Sequence, residues 1–139
     1  MSKSGIELNK IVEEINSEIP ILRQRIENTL NADSEIASQG LLEVLKFLFL
    51  ISHTNQKLTP SQKVDLVWHE LILCTKMYDQ ICKTHFDRFI HHHPGGKDEE
   101  NRQQFKNTLK AYNEYFGEPP YFFWGTDNNF ENCGSCEAV

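Results

Sequence analysis

Leu8, Val12, Ile15, Ile19, Leu22 and Ile26 recur at intervals of 4, 3, 4, 3 and 4, the apolar seam of an amphipathic helix that packs on other helices. Pro20 falls inside this seam. Because proline removes a backbone hydrogen bond and clashes with the preceding turn, the segment is expected to kink there or divide in two. Asn31-Ala32-Asp33-Ser34 reads as a turn with Asp33 or Ser34 as N-cap. The helix that follows, to about Ser52, is apolar on nearly all sides from Leu41 on and so belongs at the centre of a bundle. After a polar break at 53–58, Thr59-Pro60-Ser61-Gln62 combines a capping threonine, a proline at the first helical position and a glutamine at the third. A third helix is predicted from Pro60 to about His85, and the chain breaks after Ile90 at His91-His92-His93-Pro94-Gly95-Gly96. Asp98-Glu99-Glu100 then suit a helix N-terminus, Phe105, Leu109, Tyr112 and Phe116 keep the 4, 3, 4 spacing, and Gly117 closes the helix.

Beyond Glu118-Pro119-Pro120, the aromatic run Tyr121-Phe122-Phe123-Trp124 is expected to dock back and bury its rings. No strand-length alternation and no internal repeat interrupts this pattern. The expected fold is therefore all-α: a single-domain bundle of four or five helices over residues 1–125, with an aromatic C-terminal extension and a short polar tail, 126–139, that carries cysteines.

Composition narrows the partners. A chain of 139 residues buries about two thirds of its unfolded surface, so it folds without disulfide staples or a structural metal. The net charge of −6, with no Lys/Arg cluster, argues against a nucleic acid or an anionic membrane as partner. The longest apolar stretch, Leu41 to Ile51, is interrupted by Glu43 and Lys46 and is shorter than the roughly 20 residues a membrane span needs. With no apolar leader at the N-terminus, a cytoplasmic location is expected, in which Cys74, Cys82, Cys133 and Cys136 are thiols or metal ligands.

The third helix carries His69-Glu70, but the position four residues after His69 is Leu73, so the two-histidine zinc protease motif is absent. Asp65 precedes His69 by one turn and could orient its imidazole, either as a general base or as a metal ligand; an ordinary pair at a packing boundary beside Trp68 is the plainer alternative. Cys82 and His85 form a CxxH pair on one side of a helix, within reach of one zinc ion. The set is expected to be completed by His91, His92 or His93 of the histidine loop, or by Cys133 and Cys136 of the tail. On a straight helix His69 and Cys82 face different ways and cannot share an ion. The alternative makes Cys74 and Cys82 small buried apolar residues and leaves the CxxC in a solvated tail. A thioredoxin-like role for that CxxC lacks its α/β setting, and Gly95-Gly96-Lys97 lacks the strand and spacing of a phosphate loop.

Leu58-Thr59-Pro60-Ser61, Val64-Asp65-Leu66-Val67-Trp68-His69, then Tyr78, Cys82, Phe86, the His91-His92-x-Pro94 loop and Tyr115-Phe116-Gly117 resemble the helical domain of glycine-rich domain-containing proteins and their small bacterial relatives. The resemblance covers roughly residues 58–124, and the CxxC tail looks like a much shortened version of their Gly- and Cys-rich ends. Trp68, His69, Cys82 and a loop histidine match its motif position by position, and the resemblance implies no activity.

The leading expectation is a non-enzymatic helical binding domain with a zinc or other transition-metal site and a protein partner. A metal-free interaction module using residues 121–124 is the second expectation. A small enzyme with His69 as general base, assisted by Asp65, is the third.

Overall fold

The computed structural model describes residues 5–94, 97–125 and 136–138. Seven helices and one short two-stranded ribbon occur among them, in a single all-α domain. The seam of the first segment divides where proline dictates, into α1 (Gly5–Glu18) and α2 (Pro20–Leu30), with Pro20 in the first turn of the second helix. Leu8, Val12, Ile15, Leu22 and Ile26 are all buried. Asn31 then turns the chain in the left-handed conformation.

Helix α3 (Ser34–Thr54) is capped by Asp33, whose carboxylate accepts from the Ile36 amide at 2.9 Å. It is the central element, packed against α1, α2, α4 (Gln62–Leu73) and α6 (Asp98–Phe116). By length and composition α3 could cross a membrane, but most of it is buried by the other helices, as suits a core helix. Its one buried acid, Glu43, is fully engaged: Oε1 accepts from the Tyr112 hydroxyl at 2.6 Å and from the Trp124 indole N–H at 2.8 Å, while Lys46 lies 3.5 Å from Oε2. One carboxylate thus ties α3 to α6 and to the one-turn helix α7 (Tyr121–Trp124).

Several features differ from the sequence expectation. The cap of the third helix is Ser61, whose hydroxyl accepts from the Val64 amide at 3.1 Å, so α4 begins two residues later than Thr59-Pro60 suggested. Thr59 is instead buried against α6, its amide and carbonyl both bonded to Thr108. That helix also does not run on to His85: it breaks at Cys74 and resumes as α5 (Thr75–His85), which raises the helix number above the expected four or five. Finally, β1 (His92–Pro94) pairs antiparallel with β2 (Cys136–Ala138), in a register that sets His92 opposite Ala138 and Pro94 opposite Cys136. Three-residue strands are too short to show as an alternating pattern in the sequence. In the aromatic extension Phe123 and Trp124 are buried, whereas Tyr121 and Phe122 stay exposed.

Candidate metal centre

Helix α4 buries Val64, Val67, Trp68 and Leu71 against the bundle, and this fixes its rotation. Asp65 and His69, one turn apart, therefore lie side by side at the margin of that face, Asp65 buried and His69 half open to solvent. Rigid backbone sets both side chains.

The third member arrives from the loop after α5. Tyr78 on α5 accepts a hydrogen bond from the buried Trp68 indole N–H at 3.1 Å and donates its own hydroxyl to the carbonyl of Ile90. Ile90 and Phe86 are buried, and Phe89 packs edge-on to the Tyr78 ring at 5.3 Å. The loop is thereby pinned just before β1, and His92 is laid over Trp68 with ring centroids 4.5 Å apart. In this position His92 Nε2 lies 2.8 Å from Asp65 Oδ1, a hydrogen bond in which the imidazole N–H donates to the carboxylate. His69 Nε2 lies 3.9 Å from the same oxygen, and the two imidazole rings are 4.1 Å apart.

One ligand atom from each of Asp65, His69 and His92 thus falls within 4.8 Å of the others. Ligands about 2.0–2.2 Å from a tetrahedral zinc ion stand roughly 3.3 Å apart, so sharing one ion would close the 3.9 Å gap between Asp65 and His69 and open the 2.8 Å one between Asp65 and His92. Two imidazoles and a carboxylate are a ligand set for zinc, or for iron(II) with open positions.

The other sequence candidates separate from this cluster. Cys82 is buried, packed with Tyr78 and Ile90 beneath the loop, and burial pushes its thiol pKa upward. His85 lines a groove of about 310 Å³ with Glu14 and Glu18 of α1 and Gln80 of α5. His91 is exposed against the edge of Phe89. The CxxH pair and the histidine loop are therefore not brought to one point, even though the break at Cys74 removes the straight-helix argument that kept Cys82 from His69. Cys133 lies outside the described residues, and Cys136 is placed by its backbone in β2. Cys74 is half-buried, its thiol also raised, chiefly by burial.

Two chemical readings of α4 change with the geometry. Asp65 accepts its hydrogen bond from His92; the 3.9 Å to His69 is too long for one, so it does not hold His69 as a general base. Glu70, which would be the base of a zinc protease, faces α2, where Arg25 Nε at 2.9 Å and the Thr29 hydroxyl at 3.2 Å both bind its carboxylate. The sequence shows Asp65-His69 and His92 as separate candidates and not their combination, because 27 residues separate the pair that forms the hydrogen bond.

A family model described as UCP032817-like matches residues 10–116, which include all three ligand candidates and the loop that carries His92. The chain belongs to the UCP032817-like family. This corrects the resemblance to glycine-rich domain-containing proteins, which rested on short motifs in about half of the chain. Those motif residues are largely accounted for by packing in this UCP032817-like domain: Trp68, Tyr78, Cys82 and Phe86 are buried around the loop anchor, and Gly117, at φ 86°, ends α6. No curated protein and no solved structure matches the chain.

Proposed function

We propose that this UCP032817-like protein is a metal-binding helical domain, with Asp65, His69 and His92 as ligands to one divalent transition ion, zinc first. The observation that carries the reading is the convergence on Asp65 Oδ1 of two imidazole nitrogens, at 2.8 and 3.9 Å, from segments far apart in the chain. Loading would place the ion between His92 Nε2 and Asp65 Oδ1, where the hydrogen bond now runs. Trp68 beneath His92 and the Tyr78–Ile90 anchor restrict the ring, which lowers the entropy lost on binding. Three protein ligands leave a fourth position for water or a ligand group of a partner, the pattern of an exchangeable site.

Metal analysis of untagged protein purified without nickel resin tests this, together with cobalt(II) titration of the metal-free protein. About one equivalent of ion and visible cobalt absorption are expected, both lost in Asp65→Ala and His92→Ala. Absence of ion and of cobalt binding in the parent protein overturns the reading.

A second reading is favoured by Tyr121 and Phe122, which remain 70% and 45% exposed beside their buried neighbours. They would form the apolar part of a protein-binding face, extended by Lys63, whose ammonium lies 3.6 Å from the centre of the Phe122 ring.

A further inference from the structure

We propose that the C-terminal strand β2 is a positioning element for the metal ligand His92, so that docking of the tail and binding of the ion strengthen one another. The inference rests on the metal reading of Asp65, His69 and His92.

Asp65 and His69 have their backbone positions fixed by a helix whose apolar face is buried. His92 is different, because it sits in an extended segment with no helix of its own. On its N-terminal side the segment is secured by the Tyr78 hydroxyl on the Ile90 carbonyl. On its C-terminal side the support described is backbone pairing with β2, His92 opposite Ala138, His93 opposite Glu137 and Pro94 opposite Cys136. Two short strands alone in water are only marginally stable. A pairing that weak is readily shifted by any third interaction that favours the paired state. Ion coordination by His92 is such an interaction, since it holds β1 in the conformation that β2 recognises. Linkage makes the effect reciprocal: whatever factor the tail adds to ion affinity, the ion adds to tail docking. Partners that orient a ligand histidine are typically worth 10- to 100-fold in metal affinity, roughly the range expected here.

The test uses cobalt(II) as probe and separates backbone pairing from the tail thiols. Its parent is the full chain with Cys133→Ser and Cys136→Ser, compared with wild type, with the same parent ending at Gly125, and with the parent carrying Glu137→Pro and Ala138→Pro. Successive N–H groups of a strand point to opposite sides, so two adjacent prolines remove whichever one faces β1. The expected result is equal cobalt affinity in wild type and parent, and roughly 10-fold or greater weakening in the truncated and proline forms. Helical circular dichroism and metal-free melting should stay unchanged, and the cobalt d–d bands should alter as the His92 geometry loosens. Equal affinity in all four proteins overturns the inference and leaves the metal reading standing. A loss already complete in the serine parent also overturns it, because the thiols and not the pairing would then carry the effect. If wild type itself binds no cobalt, the metal reading fails and this inference with it.

Discussion

The hydroxyl of Tyr78 does two jobs with one oxygen: it satisfies the buried Trp68 indole N–H and holds the Ile90 carbonyl, so the core of α4 and the histidine loop share an anchor. Tyr78→Phe keeps the ring and its packing on Phe89 but strands both a buried donor and a buried acceptor. The expected loss is about 2 kcal/mol in urea unfolding, in the range for unsatisfied buried polar groups. A loss well under 1 kcal/mol would mean that water or another group replaces the hydroxyl. Residue types suited to a site are legible in the sequence, since Asp65, His69, His92 and Cys82 all carry ligand or acid–base chemistry. Their grouping is not, because periodicity reports the face of one helix, whereas the Asp65–His92 bond depends on how a loop 27 residues later is tied back. Cys82 shows the same gap from the other side: a cysteine and a histidine three apart suggest a metal pair, yet burial under the Ile90 loop decides what the thiol meets.

Elements were legible wherever a local stereochemical rule set the boundary. Pro20 divides α1 from α2, Asp33 caps α3, and Gly117 ends α6. The break at Cys74 has neither proline nor glycine beside it; Cys74 itself leaves helical geometry, at φ −85° and ψ 66°, with its amide bonded to Leu71, so the turn is a product of packing. Close approach of helices is equally invisible in a hydrophobic pattern. Gly40 on α3 is the clearest case, because a Cβ there would lie 3.1 Å from Val67 Cγ2 and 3.3 Å from Phe123 Cε1, joining α3 to both α4 and α7. Alanine would gain up to about 1 kcal/mol in helix propensity, while overpacking costs about 1–3 kcal/mol. Val67 and Phe123 are buried and have little room to yield, so the steric term wins. Gly40→Ala is expected to destabilise by about 1 kcal/mol in chemical denaturation, and a stabilised variant would show that α7 can move away freely.

At the scale of the whole molecule, three acidic groups of the core are held protonated by the fold. Burial raises the Tyr78, Tyr112 and Cys82 pKa values, and for Tyr112 the neighbouring Glu43 carboxylate adds to the effect by charge and by hydrogen bonding. In the unfolded chain a thiol ionises near pH 8.5 and a phenol near pH 10. Below those values both states hold the same protons and the groups leave stability independent of pH. Above them the unfolded chain releases protons that the folded chain keeps, and stability must fall as pH rises. The slope approaches about 1.4 kcal/mol per pH unit for each group once its unfolded form is ionised. Cys82 contributes first, together with the half-buried Cys74, and the two tyrosines steepen the fall beyond about pH 10. Urea unfolding from pH 7 to 11 is expected to show a plateau and then this two-stage decline. Tyr112→Phe removes one of the groups and should flatten the upper stage, even though it lowers stability at neutral pH by taking a donor from Glu43. An unchanged slope in that variant would mean that the Tyr112 phenol ionises as readily in the folded bundle as in the open chain, and that the Glu43 cluster admits water.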